Sequence, residues 1–278
     1  MKERVTLTLG AELLGEVDRR VDGLKIKNRS HAIELLLMQA LGNHMPKTAL
    51  ILAGGRGVRL QPITHELPKP LLPLHDKPLL QHILDLFRRH GIKNIVLSIG
   101  YKGDKIKEAF GNGKRLGMSI SYVEEDKPLG TAGPLRLARP FLTETFIACN
   151  ADELKDIDLA DMYMTHKEQG ATATVALTTV EDPSAYGVAR LQGNRILEFV
   201  EKPKKEKAPS NLINAGLYMM EPEIIDFIPE GFAMLEKDVF PKLAAQGKLF
   251  GYPFSGQWFD TGTLERYERA IKEWKDLE

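Results

Sequence analysis

The sequence is poor in cysteine, since Cys149 is its single thiol. One thiol excludes a disulfide within the chain and is compatible with a reducing compartment. No apolar run approaches the ~18 residues that cross a membrane, and the N-terminus lacks the apolar core of a signal peptide. The formal net charge of +0 leaves no global field to attract nucleic acid or a membrane. We therefore expect a cytoplasmic protein without a membrane partner.

The residues that are present are enough for one large or two smaller domains. The chain has 278 residues, of which 43% are hydrophobic. Residues 42–47, Gly-Asn-His-Met-Pro-Lys, combine a helix stop, polar side chains and a proline, which is typical of a linker. We predict one domain over residues 1–45 and a second over residues 46–278.

The first domain opens on an alternating pattern over residues 3–9, which predicts a half-buried strand. The two faces carry Val5, Leu7 and Leu9 on one side and Arg4, Thr6 and Thr8 on the other. Apolar residues at helical spacing then predict helices over residues 11–21 and from Ser30, a plausible N-cap, to Leu41. A unit this small cannot easily bury its apolar faces alone, so we expect a two-fold partner that pairs strand with strand.

This β-α-α order over residues 2–41 resembles the ribbon-helix-helix family of small DNA-binding dimers. The resemblance implies that the paired strands enter the major groove, with Arg4, Thr6 and Thr8 facing the bases. It also implies that Arg29 and Ser30, at the start of the second helix, hold a DNA phosphate. An alternative remains open, because a unit whose charges nearly balance could serve only to dimerise the rest of the chain.

In the second domain, strand-like and helix-like segments alternate, which predicts an α/β fold with a mainly parallel sheet and flanking helices. Beyond Tyr186 the pattern becomes β-rich, and Gly193-Asn194 predicts a hairpin turn. The predicted helices cover residues 78–89, 104–110, 131–138, 158–169 and 263–274. The predicted strands cover residues 94–98, 118–123, 145–149 and 171–180.

A glycine-rich loop follows the first strand of this domain. The apolar run Leu50 to Ala53 gives way to Gly54, Gly55 and Gly57, with Arg56, Arg59 and Lys69 nearby. Clustered backbone N–H groups and cations at the carboxyl end of a strand predict a polyphosphate site. The spacing matches neither a P-loop nor a dinucleotide fingerprint. The plainer alternative is a strand-to-helix turn that binds nothing.

Six blocks in order resemble the sugar-1-phosphate nucleotidylyltransferase family, and they span residues 47–278. The blocks are Leu52-Ala53-Gly54-Gly55-x-Gly57-x-Arg59-Leu60-x-Pro62, Pro68-Lys69-Pro70-Leu71, Leu129-Gly130-Thr131-Ala132-Gly133, Glu201-Lys202-Pro203, Asn214-Ala215-Gly216 and Trp258-x-Asp260-x-Gly262. The resemblance implies a Rossmann-like nucleotide-diphospho-sugar transferase fold. It also implies an enzyme that condenses a nucleoside triphosphate with a sugar 1-phosphate and releases pyrophosphate.

The resemblance assigns a role to each group of site residues. It makes Arg59, Lys69 and Lys202 catalytic, and it makes Asp152 and Asp260 ligands of Mg²⁺. The nucleotide would contact Leu52, Ala53, Gly54, Gly55, Arg56, Gly57, Ser98, Gly100, Leu129 and Gly130. The sugar would contact Tyr186, Gly187, Glu201 and Asn214. The blocks look most like those of guanylyltransferases that act on mannose or heptose 1-phosphate. The resemblance therefore favours GTP as the nucleotide and mannose, heptose or glucose 1-phosphate as the sugar substrate.

Two departures from the family pattern keep a second function open. Val58 stands where the family usually has threonine, and Asn150-Ala151-Asp152 replaces the usual Gly-Asp. Either change is compatible with a relative that binds its ligand without turning it over. The alternative is a transcription regulator that binds DNA through residues 1–45 and senses a nucleotide-sugar through the second domain.

Overall fold

The computed structural model describes residues 5–23, 26, 28–41 and 45–276. The chain divides into two compact units, Met1–Met45 and Pro46–Glu278. Among the described residues, no helix is both long enough and apolar enough to cross a membrane.

The first unit contains two helices, α1 (Ala11–Arg19) and α2 (Arg29–Leu41). Val17 of α1 and Ala32 of α2 are buried. The N-cap of α2 is Asn28 and not Ser30, because the Asn28 side-chain oxygen accepts a hydrogen bond of 3.0 Å from the His31 N–H. Ser30 lies within the first turn of the helix instead.

The strand predicted over residues 3–9 does not form in the described part of this segment. Residues 5–10 belong to no helix or strand, and the side chains of Val5 and Leu7 are 71% and 53% exposed. A strand needs a neighbour to receive its hydrogen bonds, and the expected neighbour would come from a second copy of the chain. Glu3 and Arg4 lie outside the described residues, and the ribbon-helix-helix module stays a prediction.

The second unit has the predicted α/β fold. Its helices are α3 (Leu79–Arg89), α4 (Gly103–Phe110), α5 (Gly133–Leu137), α6 (Leu159–Gln169), α7 (Phe240–Ala245) and α8 (Leu264–Glu273). Its strands are β1 (Thr48–Ala53), β2 (Pro73–Leu74), β3 (Lys77–Pro78), β4 (Asn94–Ile99), β5 (Ser119–Glu124), β6 (Phe146–Asn150), β7 (Glu153–Lys155), β8 (Ala173–Thr179), β9 (Gly187–Gln192), β10 (Arg195–Glu201), β11 (Leu212–Met220), β12 (Leu249–Pro253) and β13 (Trp258–Asp260).

In residues 45–276 a mixed sheet of nine strands has the order β5-β4-β1-β6-β11-β8-β12-β10-β9. Strands β5, β4, β1 and β6 run parallel, whereas β11 runs antiparallel to both β6 and β8. Strands β9 and β10 form the hairpin predicted at Gly193-Asn194. The carboxyl ends of β1, β4 and β6 therefore meet at one edge of the sheet, where ligands bind in open α/β folds.

Local sequence signals explain where the flanking helices begin and end. Helix α6 begins after Asp158, whose carboxylate accepts hydrogen bonds from two backbone N–H groups of its first turn. Helix α3 turns a continuous apolar face, including the fully buried Phe87, toward the core. The helix predicted over residues 131–138 is shorter than expected, because Thr131 and Ala132 are held in a loop by contacts with residues 233–236.

A separate two-stranded sheet joins distant parts of the chain beside this edge. Strand β7 pairs with β13 in antiparallel register, and Glu153 lies opposite Asp260. The backbone N–H of Thr261 also donates to the Asp152 carbonyl over 3.0 Å. This pairing places the Asp260 segment directly beside the Asp152 segment.

Candidate active site

The glycine loop turns away from the end of β1 and lies against a neighbouring carboxylate. A Cβ at Gly54 would meet the Glu125 carboxylate, which would have to move away from the loop. The Gly54 carbonyl also accepts a hydrogen bond of 3.3 Å from the Tyr101 N–H, which ties the loop to the end of β4. The loop is therefore held in place by main-chain contacts.

A cavity of about 430 Å³ opens in front of this loop. It brings together nine predicted site residues: Leu52, Ala53, Gly54, Gly55, Gly57, Arg59, Lys69, Gly130 and Asp152. Val58 and Ala151, the two departures from the family pattern, also line it, as do Pro70, Glu125, Pro128, Thr131, Asn150, Phe232 and Gly262. The cavity volume lies in the range of small-molecule binding sites.

Four residues predicted to touch the nucleotide are not among the residues that line this cavity in the described part of the chain. Arg56 is exposed on the glycine loop. Gly100 packs behind Gly54. Ser98 and Leu129 both reach the cavity through Glu125: the Ser98 hydroxyl donates to Glu125 Oε1 over 2.9 Å, and the Leu129 N–H donates to Oε2 over 3.0 Å.

Lys69 and Asp152 form a direct ion pair at the wall of the cavity. Lys69 begins a short 3₁₀ helix after Pro68 and is almost fully buried, and its Nζ lies 2.6 Å from Asp152 Oδ2. Burial by itself would raise the pKa of Asp152, but the charge and hydrogen bond of Lys69, with the charges of Lys155 and Arg59, hold that pKa below its usual value. Asp152 is therefore a carboxylate at neutral pH, and part of its side chain remains open to the cavity.

Asp260 is fixed by three donors within the protein. Its Oδ1 accepts the Gly262 N–H over 2.6 Å, and its Oδ2 accepts Arg266 Nη1 over 2.5 Å. The Tyr186 hydroxyl donates to the same Oδ2 over 3.3 Å, and burial together with the Asp260 charge raises the pKa of Tyr186 to about 12. Tyr186 therefore keeps its proton and acts as a donor toward Asp260.

Asp152 and Asp260, the two predicted metal ligands, carry oxygen ligands of the kind that a hard divalent cation prefers. Among the described residues, no cluster of three or more histidine, cysteine, aspartate and glutamate side chains could hold a metal by itself. Mg²⁺ in phosphate-transfer sites is usually bound by one or two carboxylates, with substrate oxygens and water completing its shell. Asp152 lines the cavity, whereas Asp260 is not among the described residues that line it, and the β7–β13 pairing holds its backbone beside the Asp152 segment.

Three of the residues predicted to bind the sugar, Tyr186, Gly187 and Glu201, are connected to one another and to Lys202. Lys202 Nζ lies 3.1 Å from Glu201 Oε1, and the Lys202 N–H donates to the Tyr186 carbonyl over 2.9 Å. Gly187 pairs with Glu201 across the β9–β10 ladder. The Tyr186 hydroxyl then connects this group to Asp260.

Asn214 differs from the other predicted sugar residues in its surroundings. It is buried on β11, its amide donates to the Tyr218 hydroxyl over 2.9 Å, and its carbonyl oxygen accepts the Gly216 N–H over 3.0 Å. Both polar groups of Asn214 are thus engaged within the protein.

Comparison with known proteins identifies the family. The profile of the nucleotidyl transferase family matches residues 48–276. The chain belongs to this family. Nucleotidyl transferases of this kind act on nucleoside triphosphates and sugar 1-phosphates, and they typically use a divalent metal.

The relatives differ in the nucleotide and sugar they are named for. Mannose-1-phosphate guanyltransferase beta-B of Xenopus laevis is 42% identical over 220 residues, which cover 77% of this chain and 61% of the relative. UTP–glucose-1-phosphate uridylyltransferase of Synechocystis is 39% identical over 241 residues, which cover 81% and 62%. The chain thus spans about three fifths of the length of these relatives.

A solved structure shows the same fold. The crystal structure of a UDP-glucose pyrophosphorylase complexed with UDP-glucose superimposes with a TM-score of 0.73 at 27% identity. The match covers 82% of this chain and 98% of that one.

Several residues at this nucleotidyl transferase site had no role among the predictions from the sequence. Glu125 directly follows strand β5, so its position at a strand end was a usable signal. Phe232 and Glu236 had no such signal, because they reach the cavity region through contacts with the Gly130-Thr131 loop, which lies far away in sequence. Glu236 is buried, burial raises its pKa, and its carboxylate accepts the Thr131 hydroxyl over 2.6 Å.

Proposed function

We propose that this chain joins a nucleoside triphosphate to a sugar 1-phosphate and releases pyrophosphate. The Lys69–Asp152 ion pair carries the proposal, because it lines the same cavity as the glycine loop. A polyphosphate held by that loop would meet this cation and this carboxylate together. Family membership and the relatives named for mannose or glucose 1-phosphate support the same reaction.

In this reaction an oxygen of the sugar phosphate attacks the α-phosphorus of the nucleotide. A new oxygen–phosphorus bond forms, and the bond from the α-phosphorus to the bridging oxygen breaks, so that pyrophosphate leaves with the electron pair. Such a transfer depends on in-line positioning and on neutralisation of charge. The amides of Gly54, Gly55 and Gly57 would cradle the triphosphate, and Arg59 and Lys69 would offset charge that develops in the transition state.

We assign the second substrate to the group around Glu201. Lys202 would hold the sugar phosphate, because its side chain is exposed and its backbone is anchored to Tyr186. Glu201, Tyr186, Gly187 and Asn214 remain the proposed sugar contacts. Asn214 would act through the backbone at Gly216 unless its hydrogen bonds rearrange when the sugar binds.

We assign Mg²⁺ to Asp152 and Asp260. When bound there, the ion would neutralise phosphate oxygens and orient them for in-line attack. The protein's own part is to keep Asp152 ionised beside Lys69 and to fix Asp260 with Arg266 and Tyr186.

Guanine is the base that Glu125 fits best. Ser98 and Leu129 occupy one acceptor position on each oxygen of this carboxylate, and a carboxylate offers about four. The two positions left can only accept hydrogen bonds. Guanine presents two adjacent donors, N1–H and the N2 amino group, whereas uracil and thymine flank their one N–H with carbonyl oxygens. We therefore propose GTP as the nucleotide and mannose 1-phosphate as the first sugar to test.

A pyrophosphate-release assay tests the function. The protein is incubated with Mg²⁺ and each pairing of GTP, UTP, dTTP, ATP and CTP with mannose, glucose and heptose 1-phosphates. We expect release that needs both substrates and is fastest with GTP. No release with any pair would overturn the proposal, and the ligand-sensing alternative would then stand.

For the first unit we propose dimerisation. Val5 and Leu7 are exposed apolar side chains in a single chain, which a paired strand from a second copy would cover. Light scattering should give a dimer for the full chain and a monomer for residues 46–278. A dimer of the shortened chain would contradict this role for the first unit.

DNA binding stays the second hypothesis for the first unit. Thr6, Thr8 and Ser30 are exposed, but Arg29 is held by the Asp18 carboxylate in two hydrogen bonds of 2.7 Å. Selection of the full chain against a random-sequence duplex library should enrich one motif if the hypothesis holds. Failure to enrich any motif at moderate salt would reject it.

A further inference from the structure

The two most exposed large apolar side chains in the described part of the second unit line the same cavity. Phe232 is 64% exposed and Val58 is 60% exposed, whereas most phenylalanine side chains of this unit are buried in its core. An aromatic ring that is exposed to water inside a cavity indicates a binding site for a ligand whose surface can cover the ring. Phe232 has no role in any of the assignments made above.

The backbone around Phe232 is fixed to the loop that contains Gly130. The Ala233 N–H donates to the Leu129 carbonyl over 3.0 Å, and the Ala233 carbonyl accepts the Ala132 N–H over 2.9 Å. A side chain at Gly130 would collide with the Ala233 carbonyl, so the two loops can lie this close only because residue 130 is glycine.

Side chains reinforce the same junction. The Thr131 hydroxyl accepts the Leu235 N–H over 2.9 Å and donates to the Glu236 carboxylate over 2.6 Å. Main-chain and side-chain bonds therefore hold the residues that directly follow Phe232, from Ala233 to Glu236. The exposed ring is therefore attached next to a hydrogen-bonded backbone segment.

The substrates of the proposed reaction offer one flat apolar surface suited to this ring. The triphosphate is highly charged and belongs to the glycine loop, and the proposed sugar contacts surround Glu201. The nucleobase remains, and its edge is assigned to Glu125, which lines the cavity together with Phe232. Aromatic side chains stack on every base, because each base has a π face.

We propose that Phe232 is the platform on which the nucleobase stacks. The inference rests on the proposed function and extends it, because it separates two tasks in the base pocket. Glu125 selects the base by its hydrogen-bonding edge, and Phe232 provides affinity that does not depend on which base is bound.

The test measures nucleotide binding without turnover. Isothermal titration calorimetry with GTP, UTP and inorganic triphosphate, in Mg²⁺ and without sugar phosphate, compares the wild type with Phe232→Ala, Phe232→Tyr and Phe232→Leu. The control is Phe141→Ala, since Phe141 is 42% exposed but does not line the cavity. Phe232→Ala should weaken GTP and UTP alike by roughly 5- to 100-fold.

The other ligand and the other variants show whether that loss of affinity comes from stacking on the base. Inorganic triphosphate has no base, so its binding should not change in Phe232→Ala. Phe232→Tyr keeps the ring and should bind GTP as the wild type does, whereas Phe232→Leu keeps bulk without a π face and should fall between tyrosine and alanine. Phe141→Ala should change nothing.

Each contrary result has its own meaning. Unchanged GTP binding by Phe232→Ala would overturn the stacking role and leave the proposed function intact. An equal loss for inorganic triphosphate would show that the substitution disturbs the cavity as a whole, and would also overturn it. If Phe232→Ala fails to fold, equal GTP binding by the tyrosine and leucine variants would reject the platform. A wild type that binds no nucleotide would remove both proposals.

Discussion

The Lys69 ammonium nitrogen lies 2.6 Å from the Asp152 Oδ2 atom, and the pair lines the cavity together with the glycine loop. The two side chains come from separate segments of the chain, one from the 3₁₀ helix after Pro68 and the other from the residues after β6. When no phosphate is present, each side chain neutralises the charge of the other. A bound polyphosphate and its metal would offer both groups new partners of opposite charge.

Replacement of Lys69 by alanine should therefore remove most of the activity. We expect kcat to fall by roughly 10²- to 10³-fold, the usual loss when one preorganised group that offsets transition-state charge is removed. The measurement is steady-state pyrophosphate release with saturating substrates.

The control for this variant is Lys77→Ala, which removes an ion pair of 3.2 Å with Asp85 outside the cavity. This substitution should leave kcat nearly unchanged, because partly exposed ion pairs contribute little. Wild-type turnover by Lys69→Ala would refute the catalytic assignment of Lys69.

Glutamine at position 125 should change the choice of base. Its amide group places a donor against the donors of guanine, so the ratio of kcat/KM for GTP over UTP should fall by roughly 10- to 100-fold. Glu124→Gln is the matched control, because Glu124 points outward and pairs with Lys107 over 2.6 Å. If Glu125→Gln keeps the wild-type ratio, base selection lies elsewhere in the cavity.

Features that arise from residues close together in the sequence could be predicted, whereas features that arise from contacts between distant segments could not. The end of β1, the glycine loop and the cap of α6 arise from neighbouring residues, and their patterns are visible in the sequence. The partnership of Lys69 with Asp152 depends on how two segments pack, so the sequence suggested both residues but not their contact.

The base pocket shows the same limit. Phe232 lies at the cavity because the Ala233 N–H donates to the Leu129 carbonyl. A hydrogen bond between segments this far apart leaves no pattern in the sequence. The strand predicted over residues 3–9 is absent from residues 5–9 for the opposite reason. Its alternation is clear, but a strand requires a hydrogen-bonded neighbour, and the single chain supplies none to the described residues there.

Alanine at Gly130 should destabilise the second unit more than alanine at Gly231. Both glycines have a positive φ, 78° and 79°, so each substitution incurs about 1–2 kcal/mol of backbone strain. Only at Gly130 does the new Cβ meet the Ala233 carbonyl, while Gly231 has open space around it. The free energy of unfolding from urea titration should fall at least twice as far in Gly130→Ala. Equal losses of unfolding free energy in the two variants would show that the Gly130 and Ala233 loops accommodate the new Cβ without further loss of stability.

Glu221 should make the stability of the fold sensitive to acid. Burial by itself would raise its pKa, but hydrogen bonds from His166, Lys167 and Thr145 lower it from an ordinary 4.5 to about 2. A lowered pKa stabilises the folded state above pH ~4.5, and that contribution is lost as the pH falls toward ~2.

The variant Glu221→Gln should thus lose most stability near pH 7, and its difference from the wild type should shrink as the pH falls below ~4.5. Urea unfolding at several pH values measures this difference. Glu108→Gln, at an exposed side chain, should change little at any pH. A loss in Glu221→Gln that is constant between pH 7 and pH 2.5 would contradict the assigned cause.

The pairing of β7 with β13 has a consequence for the order in which this edge of the sheet can assemble. Asp152 directly precedes β7, whereas Asp260 ends β13, and strands β8 to β12 lie between them in the chain. Such a contact closes a long loop, so it can form only after the intervening strands have packed. The metal site proposed at Asp152 and Asp260 is therefore completed by long-range folding, and a substitution that loosens the intervening strands would separate the two carboxylates.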